Sequence, residues 1–180
     1  MLIVAAGVDF LGSGTRLSTQ TGTVTVTGLN DAPSGSYRAQ GITVEAGAII
    51  ETTGAGTLTL NGTSTSLDTA WGVGVFGGTI RTMAASGGAL TLNGTNIANP
   101  DGGVVLQDGH VLSSGGAINI TGESTATSVG FINTTPNALM LGGPNSGDIT
   151  ITGLNTGNIV AVGAYAGVID AGATNLTFNA

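Results

Sequence analysis

The sequence predicts an all-β protein: a right-handed parallel β-helix, or solenoid, of about six coils with three short strands in each coil. Three observations predict this fold class. A phrase of alternating apolar residues between small polar residues returns six times, 33 of the 180 residues are glycine, and no window favours a helix. Internal periods of roughly 20 to 50 residues are typical of repeat architectures, whereas frequent glycine and β-branched residues oppose helices.

The recurring phrase is the third strand of each predicted coil, and successive copies lie 34, 32, 28, 31 and 27 residues apart. The copies are GTVTVTG (22–28), GTLTLNG (56–62), GALTLNG (88–94), GAINITG (116–122), GDITITG (147–153) and TNLTFNA (174–180). Because side chains alternate along a strand, the apolar residues of every copy should face one interior and stack in two columns. The first column is Val24, Leu58, Leu90, Ile118, Ile149 and Leu176, and the second is Val26, Leu60, Leu92, Ile120, Ile151 and Phe178.

Two further apolar segments precede the phrase in each coil and predict the first and second strands. In the first coil these are LIVA (2–5) and VDFL (8–11), and in the second coil ITV (42–44) and AIIET (48–52). Turn glycines such as Gly7, Gly47, Gly78 and Gly109 separate them, and glycine supplies the positive φ of tight corners. Parallel crossovers are nearly always right-handed, which predicts the hand of the coil. A β-sandwich of the same strands is the competing architecture.

The repeat covers the whole chain and predicts a single β-helix domain, 1–180. Its longest interruptions are DAPSGSYRAQ (31–40), TSTSLDTA (63–70) and NIANPDG (96–102), whose Pro, Gly and Ser content predicts surface loops at one corner of the coil. A local function should sit on these loops or on an outer face of the solenoid.

The charge balance disfavours two classes of partner. The chain has no lysine, only the arginines Arg16, Arg38 and Arg81, and a formal net charge of −7. Nucleic-acid binding needs basic residues that neutralise phosphates, so we expect no nucleic-acid partner. No apolar stretch approaches the roughly 18 residues of a membrane-spanning helix, so we expect no membrane insertion. With no cysteine, disulfides and thiolate metal sites are excluded.

Phrases such as GTLTLNG, GAINITG and GDITITG, in a chain without Cys or Lys, resemble the β-helical repeats of filamentous-haemagglutinin-type adhesins and autotransporter passengers. The resemblance implies an extracellular or cell-surface bacterial protein in which the β-helix is a structural stalk or fibre element. It also implies that this chain is a segment of a longer adhesin. The expected partners are another copy, by end-to-end stacking, and a glycan or cell-surface receptor bound by the corner loops.

The residues give little support to catalysis. Glycoside hydrolysis needs two carboxylates about 5 to 10 Å apart, but Asp101 and Asp108 occupy ordinary turn positions, and Glu45 and Glu51 form no column with other acidic residues. His110 is the only histidine, which leaves no histidine pair for a metal or a dyad. We therefore expect no enzyme activity, cofactor or metal. A carbohydrate-binding or polysaccharide-cleaving β-helix is the alternative.

The outward side chains of the third strand form the candidate interaction surface. The predicted ladder is Thr25, Thr59, Thr91, Asn119, Thr150 and Thr177. A flat threonine array looks like the ice-binding face of antifreeze β-helices, which is a minor alternative; high strand propensity explains the same threonines without any function. Tyr37, Arg38 and Trp71, near the loop corner, complete the candidate surface. Arg38 and Arg81 could also contact an acidic glycan, although a lone arginine is more often a surface solubiliser.

Overall fold

A computed structural model describes residues 4–31, 37–67, 69–97, 101–125, 129–156, 161–164 and 166–180. Regular structure in these ranges consists of eighteen β-strands and no helix. The strands form three parallel six-stranded sheets that stack as a β-solenoid of about five turns, with three strands per coil. The predicted parallel β-helix is thereby confirmed.

Each coil contributes one strand to each sheet, in the order A, B, C. Sheet A contains β1 (Val4–Leu11), β4 (Tyr37–Glu45), β7 (Val73–Phe76), β10 (Val104–Gln107), β13 (Phe131–Asn133) and β16 (Val162–Ala164). Sheet B contains β2 (Arg16–Thr19), β5 (Ile49–Thr52), β8 (Thr79–Thr82), β11 (His110–Ser113), β14 (Leu139–Gly142) and β17 (Val168–Asp170). Sheet C contains β3 (Thr23–Asn30), β6 (Thr57–Ser64), β9 (Leu90–Asn96), β12 (Ile118–Ser124), β15 (Ile149–Asn155) and β18 (Leu176–Asn179).

Sheet C carries the recurring phrase, and its strands pair in the predicted register. Leu58 pairs with Leu90, which pairs with Ile118, and all three side chains are fully buried. Apolar side chains of the other two sheets complete the same interior, including Ile42 and Val73 of sheet A and Ile50 of sheet B. Both predicted columns are therefore present, and one continuous apolar core runs through the stacked coils.

The glycine that closes the recurring phrase does not end the strand, which continues for two more residues in β3, β6, β9, β12 and β15. Four of these five glycines pack against glycines in or just before the strands of sheet A, backbone on backbone, whereas Gly153 packs against the backbone of Ala161. A Cβ atom at Gly94 would lie 2.1 Å from the carbonyl oxygen of Gly103, too close for any side chain. We call this contact the glycine seam. Its members are Gly28, Gly62, Gly94, Gly122 and Gly153 of sheet C with Gly7, Gly41, Gly72, Gly103 and Gly130 at or just before the sheet A strands.

The corner between sheets A and B uses glycine for two different reasons. Gly47 has a positive φ of 83°, as predicted for a turn residue. Gly78 and Gly109 do not have positive φ; instead a Cβ atom there would lie 2.5 Å from Val44 O and 2.4 Å from Val75 O, respectively. Close approach of neighbouring coils, rather than turn geometry, therefore requires these two glycines.

The prediction for the first coil was wrong. The segment VDFL, predicted as a second strand, belongs to β1, where Val8 pairs with Ile42 and Phe10 with Val44. Gly7 lies inside this strand and not in a turn. The true second strand, β2, has only one apolar residue, Leu17, which pairs with Ile50. A strand with a single apolar side chain gives too weak an alternation to be recognised by pattern alone.

The corner loops are shorter than predicted. Of the expected loop 31–40, residues 37–40 already belong to β4, and residues 32–36 lie outside the described part of the chain. Residues 63–64 of the loop 63–70 belong to β6, and residue 96 of the loop 96–102 ends β9. Residues 68 and 98–100 are likewise outside the described ranges. Strands β6 and β9 extend into these segments because the glycine seam continues sheet C past the phrase. Residues 37–40 instead extend sheet A, where they pair with β1.

Candidate functional site

The outward side chains of sheet C form two polar ladders, which we call the Thr/Asn face. The first is the predicted ladder of Thr25, Thr59, Thr91, Asn119, Thr150 and Thr177. The second is Thr27, Asn61, Asn93, Thr121, Thr152 and Asn179. The side chains are half-buried in the middle coils and exposed at both ends. The register gives the array spacings of about 4.8 Å between coils and about 7 Å along each strand.

Hydrogen bonds between coils order part of the Thr/Asn face. Asn93 Nδ2 donates to Asn61 Oδ1 at 2.8 Å, and Asn179 Nδ2 donates to Thr152 Oγ1 at 3.3 Å. At the edge of the face, Thr57 Oγ1 donates to Thr23 Oγ1 at 3.1 Å. Such bonds tie neighbouring coils together, so the polar residues have a structural use whether or not a ligand binds them.

A third polar ladder, which the sequence reasoning missed, lies inside the corner between sheets C and A. Its members follow each seam glycine of sheet C by two residues, and they are Asn30, Ser64, Asn96, Ser124 and Asn155. Ser64 Oγ donates to Ala39 O at 2.7 Å, and Asn96 Nδ2 donates to Ala70 O at 2.6 Å. The first four side chains are buried, and Asn155 is half-buried. The signal was the recurrence of Asn or Ser at this one position of the first five repeats.

Asp101 anchors the same corner. Its Oδ2 accepts a hydrogen bond from Ala70 N at 2.8 Å, and its carbonyl oxygen accepts from Asn96 Nδ2 at 3.0 Å. Burial raises the pKa of the Asp101 carboxyl, although the hydrogen bond from Ala70 opposes the shift. The bond to Ala70 joins consecutive coils, so Asp101 has a structural role at this corner, as expected for a turn aspartate.

Trp71 lies at this corner as well, half-buried against the next coil. A Cβ atom at Gly102 would lie 2.6 Å from Trp71 Cζ3, so the indole ring packs over the Gly102 backbone. The side chains of Tyr37 and Arg38 lie outside the described part of the structure, although their backbone belongs to β4. Whether the three residues form one surface therefore stays a prediction.

Glu51 is the centre of a charged cluster on the outer face of sheet B. Arg81 Nε donates to Glu51 Oε2 at 2.8 Å, Arg16 Nη2 donates to Glu51 Oε1, and Ser18 Oγ donates to Glu51 Oε1 at 3.1 Å. The Glu51 side chain is fully buried beneath its partners. Burial raises the pKa of the Glu51 carboxyl, but the hydrogen bonds from Arg81, Arg16 and Ser18 outweigh it and hold the pKa below its ordinary value. Arg81 is thus an ion-pair residue, and not a lone surface arginine.

A shallow groove of about 270 Å³ lies at the corner between sheets A and B, lined by Glu45, Ala46, Phe76, Gly77, Gln107 and Asp108. It brings two of the predicted carboxylate candidates, Glu45 and Asp108, to one surface beside an aromatic ring. Asp108 is exposed and has a positive φ of 51°, consistent with its predicted turn position. His110 begins β11 nearby. Among the described residues, no group of three or more His, Asp or Glu side chains could hold a metal ion.

The geometry defines a repeat protein of the parallel β-solenoid class, with ordered polar ladders outside and an apolar core inside. The chain matches no known protein family, no characterised protein and no solved structure. Across the described ranges, no helix has the length and apolar character needed to cross a membrane.

Proposed function

We propose that this chain is a structural stalk or fibre element of an extracellular bacterial adhesin-like protein, with its corner loops displayed along one edge. The observation that carries the proposal is the stacking of three parallel six-stranded sheets around one core. Four features of the described residues join neighbouring coils: the apolar columns, the glycine seam, the Asn/Ser ladder of the corner and the Glu51 cluster. A solenoid held by nearest-neighbour contacts of this kind makes a stiff rod.

The sixth coil carries the surface that end-to-end stacking would use. Leu176 and Phe178 continue the two interior columns, yet 40% and 48% of their surfaces are exposed. Both belong to β18, which pairs with β15 on one side only. A further coil placed over this surface, from a longer chain or from a second copy, would bury these side chains and pair the open strand edge.

Electron microscopy of the purified chain at high concentration tests end-to-end stacking. We expect unbranched fibres in which each chain adds about 29 Å of length, from six strand layers of about 4.8 Å. The variant Phe178→Asp should stop growth because it places a charge on the stacking surface. Leu154→Asp, at a residue of similar exposure (47%) on the outer face of sheet C, is the matched control. Compact particles alone from the unmodified chain would contradict the fibre proposal.

The groove at Phe76 supports a second candidate function, carbohydrate binding. An aromatic ring next to the Gln107 amide and the Asp108 carboxylate has the mixed apolar and polar character that suits a sugar. Glycan-array binding that is lost in Gln107→Ala, with unchanged circular dichroism, would favour this function. Absence of binding to every glycan on the array would count against it.

The Thr/Asn face supports the third candidate, ice binding, because its two ladders are in register through all six strands of sheet C. Asn61 and Asn93 weaken this candidate, since their mutual hydrogen bond occupies part of the polar surface. A thermal-hysteresis assay at about millimolar protein, a concentration suited to weak binders, is decisive. Absence of hysteresis removes the candidate.

A further inference from the structure

The outer face of sheet B carries two outward ladders whose chemistry changes along the solenoid. The first ladder, in coil order, is Arg16, Ile49, Thr79, His110, Leu139 and Val168. The second is Ser18, Glu51, Arg81, Leu112, Leu141 and Asp170. Charged and polar residues dominate the first three coils, whereas leucine and valine dominate the last three. Leu112, Leu139 and Leu141 are half-buried, and Val168 is 45% exposed. We call the last four coils of both ladders the sheet B patch.

The order of residues in the second ladder is complementary to itself when reversed. From the third coil to the sixth it reads Arg81, Leu112, Leu141, Asp170. Consider two copies packed face to face about a two-fold axis that runs along the strands between coils four and five. The coils of the second copy then stack in the opposite direction to those of the first, and each ladder faces the same ladder of the other copy. Arg81 meets Asp170 of the second copy, and Leu112 meets Leu141, so every contact within this second ladder joins opposite charges or two leucines.

We propose that the sheet B patch is a self-association surface that pairs two copies of this chain side by side, with their stacking directions opposed. In the first ladder the same arrangement places His110 against Leu139 and Thr79 against Val168, so the charge complementarity comes from the second ladder alone. Each contact occurs twice because a two-fold interface uses the same patch on both copies.

The other face-to-face arrangement is less favourable. A two-fold axis along the stacking direction places the first ladder against the second at the same coil. Thr79 would then face Arg81, and Val168 would face Asp170, with no pair of opposite charges in contact. Charge complementarity therefore favours the opposed arrangement, because an unpaired charge at an interface loses hydration and gains no oppositely charged partner.

The charge distribution of the molecule also favours this face. Two copies that each carry a net charge of −7 repel each other over most of their surfaces. Arg16 and Arg81 are two of only three basic residues, and with Glu51 they form a cluster with a net positive charge. Arg81 remains 29% exposed beside Glu51, within reach of a second copy. This cluster is the part of the described surface where an aspartate of another copy would meet attraction.

The size of the patch predicts a weak dimer. Four coils at about 4.8 Å and two ladders about 7 Å apart cover roughly 20 by 14 Å, well below the roughly 800 Å² per partner of a standard stable complex. The association should therefore be reversible and concentration-dependent, and it should end at two copies. End-to-end stacking, in contrast, can keep adding copies. Sedimentation therefore distinguishes side-by-side pairing from end-to-end stacking, whether or not the proposed fibre function holds.

Sedimentation equilibrium of the full chain between about 10 µM and 1 mM, the range in which weak complexes form, tests the proposal. We expect the mean mass of the unmodified chain to rise toward that of a dimer. Leu141→Asp should keep the protein monomeric, since it places a carboxylate near the centre of the patch on both copies. Asp170→Asn, an exposed change that spares the core, should weaken association by about 2- to 30-fold, as expected for two exposed ion pairs.

Leu154→Asp is the matched control, because it makes the same change on the outer face of sheet C. It should associate like the unmodified chain. Three results would overturn the proposal: no mass increase at the highest concentration, equal loss of association in Leu141→Asp and Leu154→Asp, or full association in Leu141→Asp with native circular dichroism. Full strength in Asp170→Asn would exclude the opposed arrangement.

Discussion

Glycine within strands is the least expected residue-scale feature of this protein, because glycine usually weakens a strand. The seam glycines have no positive φ, so turn geometry does not explain them. Their position is explained by the backbones of sheets A and C, which approach too closely for any side chain. The same residue type therefore serves as a turn former at Gly47 and as a packing residue at Gly94.

Gly94→Ala should destabilise the fold by about 1–3 kcal/mol or more, because the added methyl group must push apart two backbones that cannot move independently. Gly14→Ala is the matched control, since a Cβ atom there would have no atom within 4 Å and its φ is not positive. That change should be neutral or slightly stabilising, as it reduces the entropy of the unfolded chain. Urea denaturation measures both variants. Equal stability of the two would refute the seam.

Glu51 shows how a buried carboxylate is tolerated in a chain with few charges. Its side chain is fully buried, and Arg16 and Arg81 approach from the coils on either side. Because the pKa of the folded state lies below the ordinary value of 4.5, the ionised form stabilises the fold. This stabilisation is complete above that ordinary pKa and is lost as the pH falls through the lower pKa of the folded protein.

Glu51→Gln should therefore cost about 1.5–3 kcal/mol at pH 7, the usual range for hydrogen bonds to a charged group. The difference from the unmodified protein should shrink as the pH falls below about 4.5, the value at which an unfolded glutamate protonates. Thermal unfolding between pH 7 and pH 3 measures this, with Glu123→Gln on sheet C as the control. A cost that does not depend on pH would show that the Glu51 charge is not what stabilises the cluster.

At the scale of single elements, alternation along sheet C was predictable and alternation elsewhere was less so. Strand β9 alternates buried and half-buried residues through its whole length. Its apolar residues recur at equivalent positions in the five other strands of sheet C. This recurrence made the alternation recognisable from the sequence alone. Strands β1 and β2 were misassigned because β2 has a single apolar residue, and only its pairing with β5 identifies it as a strand.

Two substitutions of neighbouring residues in β9 test the alternation. Leu90→Ala should cost about 2–5 kcal/mol, because it leaves a cavity in a column that cannot collapse. Thr91→Ala, on the outer face, should cost about 1 kcal/mol or less, the range of strand propensities. Chemical denaturation with equal m-values would give both numbers. Similar losses at the two positions would mean that Leu90 does not face a shared core.

At the scale of the whole molecule, the main contacts among the described strands are within one coil or between adjacent coils. The described core residues of coils two to five are mostly fully buried, whereas Leu176 and Phe178 of the last coil are exposed. In such a solenoid, stability is approximately a sum over coils and their interfaces. The ends should therefore open more readily than the middle.

Hydrogen exchange measured by mass spectrometry should resolve this gradient. Amides of β9 and β12, paired on both sides, should exchange slowest, and those of β18 should exchange at least about 100-fold faster because the end coil can open locally. The outer strands β1 to β3 should show intermediate protection, since Val8, Phe10, Leu17 and Val24 are only partly buried. Uniform protection along the chain would mean that the solenoid opens only as a single unit.

Periodic patterns in the sequence predicted the all-β parallel solenoid, three strands per coil, the two apolar columns of sheet C and the Thr/Asn ladder, because local alternation encodes each of them. Four features became visible only in the folded chain: the glycine seam, the buried Asn/Ser ladder, the Arg16–Glu51–Arg81 cluster and the extent of the corner loops. These features depend on which backbones and charges meet across coils and sheets. Which groups meet follows from the register of the whole stack, and no single short segment determines that register.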